Sequence, residues 1–344
     1  MNIKDRYRLL CRMEKSIPIF SKDWWMDAVC GKNNWDVLLI EKDKQILSSL
    51  PYYLVKRGKR KYIIQPQLTQ TNGIWIKYPP GQKYYKKLSY EKKIMTEIIN
   101  QISELDLNHY SQNYYYSITN WLPFYWKGFT QTTRYTYVIE NLENLEEVFS
   151  NFSYSKIKNI RKAKKIVEVK NDLPIKEFYE NHMLTLKKQN KEISYSFEIF
   201  ENICNAVFSR NMGKIFYAID GKGNIHAALL IIWDDLQAYV LISTIDPYFR
   251  NSGASSLLIE AAIIFVSERT KKFDFEGSMI EEVENSFRKF GAIQKPYFKI
   301  SKFYKKENIF KIIVRDIYNH YPILQKAYRN MKKDTHIKFQ KRLI

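Results

Sequence analysis

Two rhythms of apolar spacing alternate along this chain, and the places where one replaces the other outline its elements. Residues 22–30 put Trp24, Trp25 and Ala28 on one helical face, with Ser21 as an N-cap and Gly31 as a stop. Strand-like stretches follow at Asp36–Glu41 and Gln45–Val55, and the polar turn Lys42–Lys44 between them reads as a hairpin. Lys61–Gln65 and Gly73–Lys77 read as two more strands on either side of a proline-containing loop. Tyr84–Leu105 returns to helical spacing through Leu88, Ile94, Ile98 and Ile102, and Tyr114–Ile118 and Tyr135–Ile139 are β-rich runs.

Residues 142–165 change character. Leu142–Phe149 is predicted helical, and Ser153–Lys165 is a basic helix carrying Lys156, Lys158, Arg161, Lys162, Lys164 and Lys165. Pro174–Asn190 and Phe197–Asn211 are further helices. Three strands then arrive together, Lys214–Ile219, Ile225–Trp233 and Ala238–Thr244, the first two joined by the tight turn Asp220–Asn224. A helix over Asn251–Glu268, a short strand at Phe273–Phe275, a helix at Ile280–Phe290 and a strand at Tyr297–Ser301 complete the order. Residues from Asn308 to about Lys333 read as an amphipathic basic helix. The second half thus runs helices, three antiparallel strands, helix, strand, helix, strand, and the first half shows a degraded version of that order. This reads as two related α/β modules, residues 1–145 and 146–305, with a basic helical tail over 306–344.

Composition sharpens the picture in three respects. The 344 residues are 45% hydrophobic, enough to bury a large core, and the length favours two domains. Aromatic residues at 15% argue against disorder, although the general abundance of Lys, Ile, Asn and Tyr discounts lysine and tyrosine counts as functional signals. A net charge of +20 attracts polyanions, and the charge is clustered: residues 301–344 hold twelve Lys/Arg against three Asp/Glu. Cys11, Cys30 and Cys204 are odd in number and widely spaced, which argues against a disulfide framework and fits a reducing compartment. Met1–Glu14 lacks the apolar core of a signal peptide, and stretches such as Ala227–Trp233 are far short of the ~20 residues of a membrane span. The expectation is a cytoplasmic protein whose basic tail can touch the anionic inner face of the membrane.

Candidate chemistry concentrates in two places. Asp246-Pro-Tyr-Phe-Arg-Asn-Ser-Gly-Ala-Ser-Ser256 follows a strand and opens a helix. Gly253, Ala254, Ser255 and Ser256 let an anion approach backbone N–H groups at a helix N-terminus, and Arg250 adds a charged donor. The same residues would also make an ordinary helix start after a proline turn. Farther on, Phe273-Asp-Phe-Glu-Gly-Ser-Met places carboxylates at a strand end, ahead of Phe287-Arg-Lys-Phe-Gly-Ala292. No acidic residue falls between Ser150 and Val167, so local pairing cannot account for Lys156, Arg161 and Lys164 together. A solvated face is the plainer reading of such a run; an anionic partner is the functional one, whether a nucleotide diphosphate sugar, a lipid-linked pyrophosphate or a tRNA backbone. His109, His182, His226, His320 and His336 are scattered, with no Ser/His/Asp spacing for a hydrolase and no cluster for a metal.

Taken together these motifs resemble the Fem-type branch of the GNAT acyltransferases, nearest its acetyltransferase-like relatives. In that branch a strand ending in Asp/Glu-Gly-Gly/Ser precedes a helix with Phe-Lys-x-x-Phe-Gly; Arg288 stands here where Lys is usual. GNAT enzymes hold the pyrophosphate of coenzyme A with Arg or Gln, two residues, Gly, one residue, then Gly or Ala, and Arg250-Asn-Ser-Gly253-Ala-Ser255 is similar but ends in Ser. Ser155–Lys164 is similar to the basic helix opening the second module. Ile19-Phe-Ser-Lys-Asp-Trp24, Leu50-Pro-Tyr and Leu68-Thr-Gln-Thr-Asn-Gly-Ile-Trp75 resemble the first module. The resemblance runs from about residue 19 to 300 and lacks the coiled-coil arm of the tRNA-dependent members.

That resemblance implies an α/β (α+β) fold of two tandem GNAT-like modules, each a mixed, mostly antiparallel sheet flanked by helices. It implies acyl-CoA as co-substrate and no metal, with the donor held by Arg250, Gly253, Ala254, Ser255 and Ser256 beside the splayed strands Ala238–Thr244 and Phe273–Phe275. Glu276 is then the candidate base or amine-orienting group, and Arg288 stabilises an oxyanion or phosphate. Lys156, Arg161, Trp24 and Tyr297 fall on the substrate side. The expected reaction is N-acyl transfer to an amine of a cell-envelope or polysaccharide precursor, presented as an anionic nucleotide- or lipid-linked sugar. Aminoacyl transfer from charged tRNA to a peptidoglycan precursor is the alternative that the +20 charge favours. Nucleic-acid binding without catalysis is a second alternative; charge and aromatics fit it, but no helix-turn-helix, zinc or RNA-recognition signature accompanies them.

Overall fold

Helical and extended segments follow one another much as the apolar spacing predicts. In a computed structural model of the chain, residues 1–277 and 279–305 are described. The chain divides into units of residues 1–302 and 303–344, and the expected tail helix lies outside the described residues. Helices α1 (Ile3–Met13) and α2 (Asp23–Cys30) precede strands β1 (Trp35–Lys42), β2 (Gln45–Arg57), β3 (Arg60–Ile64) and β4 (Trp75–Ile76). Then come α3 (Tyr84–Glu104), β5 (His109–Tyr114), α4 (Leu122–Trp126) and β6 (Thr130–Ile139). The next stretch holds α5 (Leu145–Ser150), α6 (Tyr154–Ala163), β7 (Val167–Lys170), α7 (Ile175–Lys188) and α8 (Phe197–Phe208). Strands β8 (Gly213–Asp220), β9 (Ile225–Trp233) and β10 (Ala238–Ile245) form an antiparallel set. The last elements are α9 (Ala254–Ser267), β11 (Phe273–Asp274), α10 (Glu281–Phe287) and β12 (Ile293–Phe303).

One sheet of twelve strands connects these elements among the described residues, in the order β1-β2-β3-β5-β12-β6-β11-β10-β9-β8-β7 with β4 on β2. Only β3–β5 and β10–β11 are parallel among its registered pairs. Strands from before and after residue 145 share this sheet, because β12 lies between β5 and β6, and β6 pairs with both β12 and β11.

Two apolar cores lie on opposite faces of this sheet. Along β9, Ala228, Leu230 and Ile232 join one core while Ala227, Leu229 and Ile231 join the other. Period-two alternation therefore buries both faces, and this is why Ala227–Trp233 reads as an unbroken apolar run. The first core also holds Tyr7, Trp25 and Trp35 from the first half with Phe200 and Tyr239 from the second. The second core packs α9 and the aromatic trio Phe275, Phe287 and Phe290.

Several elements depart from the sequence reading: α4 and β7 are absent from it, and β6 and β12 begin earlier than it has them, at Thr130 and Ile293. Ser21 does not cap α2: it lies in a short 3-10 turn, and Lys22 occupies the N-cap without a side-chain bond. Asp234 draws the chain into that turn by accepting the Ile19 N–H at 2.7 Å. β5 lies at His109–Tyr114, not Tyr114–Ile118. Its buried Gln112 and Asn113 donate to Pro51 O and Gln70 O, each at 2.9 Å, so a polar-looking run is interior strand. Helix α1, which the charged N-terminal run conceals, is capped by Asn2, whose side chain accepts Asp5 N–H at 2.8 Å.

The turn before α9 has φ +83° at Gly253, and a Cβ there would overlap the backbone carbonyl of Asn159 on α6. Gly253→Ala is expected to destabilise the fold by about 2 kcal/mol or more, seen as a lower thermal midpoint. Gly221→Ala, with open space around its Cβ position, serves as control. Equal midpoints for the two variants would show that α6 does not depend on this turn.

Candidate functional site

The parallel strands β10 and β11 pair only through Ala238↔Phe273 and Tyr239↔Asp274. Beyond them β11 ends, while β10 continues to Ile245 with one edge unpaired. Against β9, β10 carries a register shift between Val240 and Ile242, and the extra residue interrupts the hydrogen-bond ladder. A cavity of 530 Å³ opens here. Val240 and Ser243–Ile245 of β10 form one wall, Ser255, Leu258 and Ile259 of α9 a second, and Val283, Ser286 and Phe287 of α10 a third.

Local chemistry shapes the mouth. The Asp246 carboxylate accepts the Tyr248 N–H at 3.0 Å and pairs with Lys188, which fixes the 3-10 turn Pro247–Ser252 leading into α9. Ser252 Oγ accepts the Ala254 N–H at 3.2 Å. Arg250 and Lys191 line the cavity, and Arg250 makes no ion pair among the described residues. Lys156 enters from the first turn of α6, where Ser153 is the N-cap. Its Nζ donates to Ser286 Oγ at 2.8 Å and lies 4.1 Å from the centre of the Phe290 ring. Burial, and then the nearby Lys289, push its ammonium down to about 8.

A second polar cluster sits where β11 stops. Asp274 is fully buried; it accepts bonds from Thr136 Oγ1, from Gln237 Nε2 at 3.2 Å and from the Glu276 N–H at 2.7 Å. Gln237 Oε1 in turn accepts the Tyr115 and Tyr116 hydroxyls at 2.9 Å each. Burial pushes Asp274 up to about 7, although its hydrogen bonds oppose the shift. Glu276 is raised well above the carboxylate range, first by burial and then by Asp274. Its Oε1 has no partner among the described residues, and its backbone is left-handed at φ +56°. Such strain at a non-glycine residue persists only where surrounding structure enforces it. Here Gly277, at φ +50°, is pressed so close to Tyr135 O that a Cβ would overlap it.

Of the residues singled out from the sequence, the cavity brings together Lys156, Arg250 and Ser255. Gly253, Ala254 and Ser256 are buried beneath its rim, and the space a side chain would take at Gly253 is filled by α6 rather than left for a ligand. Glu276 lies outside the cavity lining, and burial raises its pKa well above the usual carboxylate value. Arg288, in the 3-10 turn after α10, is exposed and outside the lining, bonded to Asn285 Oδ1 at 3.1 Å and 3.8 Å from Glu284. Arg161 is exposed on α6 outside the lining. Trp24 packs on Trp25 under the Arg210 guanidinium, away from the cavity. Tyr297 is buried on β12 opposite Arg134, near Asp274 and Glu276. Sequence reasoning missed Lys191, Glu282 and Ser286 in the lining. The three-to-four spacing of Val283, Ser286, Phe287 and Phe290 is the signal that could have found the α10 face. No cluster of His, Cys, Asp or Glu suited to a metal occurs among the described residues.

No protein-family model matches the chain, and no curated protein sequence matches it. Solved structures do. FemX shares the fold with a TM-score of 0.66 at 12% identity, over 87% of this chain and 96% of FemX. L-PGS from Bacillus licheniformis follows at 0.53 and 8%, over 90% of this chain and 95% of that one. A tandem GNAT protein from the clavulanic acid biosynthesis pathway gives 0.52 and 7%, over 88% and 94%. The fold is therefore GNAT/Fem-like: a mixed, mostly antiparallel sheet flanked by helices.

Asp274 supplies a pH test. Its folded-state pKa, about 7, lies above the ordinary carboxylate value, so the folded chain holds this proton more tightly than the unfolded chain. The resulting stability is fully present below about pH 4 and is lost as pH rises through about 7. Urea unfolding should show the wild type losing stability across that window, with a flatter profile for Asp274→Asn. Parallel profiles would contradict a protonated buried acid.

Proposed function

We propose that the protein is an N-acyltransferase that takes an acyl group from acyl-CoA bound beside β10 and passes it to an amine. The acceptor is an anionic nucleotide- or lipid-linked precursor of the cell envelope or of a polysaccharide. The observation that carries this reading is the cavity itself: an unpaired strand edge, an apolar channel, and Arg250, Lys191 and Lys156 around it. An unpaired edge offers backbone groups to the amides of the donor's arm, and the cations suit its phosphates. The fold shared with FemX and a tandem GNAT protein is consistent with such chemistry.

In this mechanism the neutral acceptor amine attacks the thioester carbonyl. A C–N bond forms, the C–S bond breaks, and the amine proton leaves with the thiolate. Positioning along β10 supplies much of the rate, and a backbone N–H near the Val240–Ile242 bulge can face the developing oxyanion. Lys156, held near 8, is partly neutral in the alkaline range and can relay a proton within the cavity.

Transfer from aminoacyl-tRNA to a peptidoglycan precursor is the second reading. It is favoured by the exposed basic residues Lys158, Arg161 and Lys162 of α6, the last bonded at 2.7 Å to Asn251 O, which follows the lining residue Arg250.

Calorimetry with acetyl-CoA separates the two. Binding should be saturable, and Arg250→Ala should weaken it about tenfold or more, since a charge-assisted contact is lost. No binding of acetyl-CoA, together with salt-sensitive retention of tRNA, would replace the first reading with the second. Affinity for the anionic donor should also fall as pH rises through about 8, where Lys156 loses its charge, and Lys156→Met should remove that dependence. A pH-independent wild type would exclude Lys156 from donor binding.

A further inference from the structure

Outside the cavity lining, α3 and α4 share a surface that the proposed acyl transfer does not use. In α4, Pro123 and Phe124 turn inward, while Leu122, Tyr125 and Trp126 remain 48%, 59% and 56% exposed. At the start of α3, Tyr84 and Tyr85 are 72% and 61% exposed. The two helices are clamped together: Asn120 donates to Glu91 Oε2 at 2.9 Å, and Lys92 Nζ stands 5.2 Å from the Trp126 ring centre. Tyr85 and Lys92 are seven residues apart, two helical turns, and so lie on one face of α3. Tyr85 and Trp126 therefore stand along one strip of α3, two turns apart with Ser89 between them.

The charge around this strip is predominantly positive, with the half-buried Glu97 one turn beyond Lys93. Lys83, Lys86, Lys92, Lys93 and Lys127 are all exposed. Between residues 83 and 96 the sole carboxylate is Glu91, which is buried and engaged by Tyr78, Asn120 and Lys87. Residues 119–131 contain no acidic group. Large apolar side chains left exposed on one face mark an interaction site. Protein interfaces are depleted in lysine, whereas tryptophan, tyrosine and lysine together suit the boundary between water and an anionic bilayer. No helix among the described residues is long and apolar enough to span a membrane.

We propose that the α3–α4 face docks the protein on anionic phospholipid bilayers, with Leu122, Tyr125 and Trp126 entering the headgroup region and the surrounding lysines meeting lipid phosphates. The contact is independent of which acyl donor the cavity takes.

Because a net charge of +20 alone draws the protein to anionic surfaces, the test removes aromatic groups and leaves charge untouched. The full chain and the triple variant Leu122→Ser/Tyr125→Ser/Trp126→Ser are sedimented with phosphatidylcholine vesicles, with and without phosphatidylglycerol. Thermal midpoints of the two proteins are matched first, since all three positions are exposed. The wild type should partition onto the anionic vesicles, partly resisting added salt, and the triple variant should bind about tenfold less. Brominated lipid should quench wild-type tryptophan fluorescence more than that of Trp126→Phe. Equal partitioning of wild type and triple variant would overturn the proposal in favour of general basic attraction. A wild-type dimer that the triple variant dissociates would overturn it in favour of contact between copies.

Discussion

The site depends on how briefly β11 holds its neighbours. It pairs with β6 through Phe273↔Ile139 and Asp274↔Val138, and with β10 through the same two residues. The strand is stopped by its own chemistry. Asp274 turns its carboxyl back onto the Glu276 N–H, the local side-chain bond that competes with a sheet ladder. Glu276 and Gly277 then take left-handed conformations against β6. A longer β11 would pair with the rest of β10 and close the cavity. The buried acid and the strained turn after it are thus a structural condition for the open strand edge, even though neither carboxyl lines the cavity.

Rigidity on either side makes that opening durable. β9 and β10 are buried on both faces, so the wall of the cavity is also the middle layer between two cores. The wall this layer gives the cavity carries Ser243 and Thr244 but no charged side chain with which to bind an anion. The cations come instead from the surrounding segments: Arg250 from the turn before α9, Lys191 from the segment after α7, and Lys156 from α6. Burial lowers the pKa of the last of these because the cavity wall around it is aromatic and gives it a hydroxyl rather than a carboxylate as partner.

Much of this was readable in the sequence where local pattern decides structure. The apolar spacing located α2, α3, β9 and β10 to within a residue or two, and the stretch from Arg250 to Ser256 marked the helix start that borders the cavity. Pattern misled where tertiary partners decide. β5 looked polar because Gln112 and Asn113 find their hydrogen bonds on other segments. Gly253 looked like room for a ligand, yet the room belongs to Asn159. Arg288 and Phe287 are adjacent in sequence, but the helix turns Phe287 to the cavity and Arg288 to solvent, a phase set by the apolar stripe of α10.

Hydrogen–deuterium exchange with and without acetyl-CoA tests the central claim most directly. If the parted strands form the donor site, amides in the outer half of β10, the turn and start of α9, and α10 should exchange more slowly with ligand present, while β1–β5 should not change. Protection confined to the first half of the chain, or none along β10 at saturating ligand, would contradict the account.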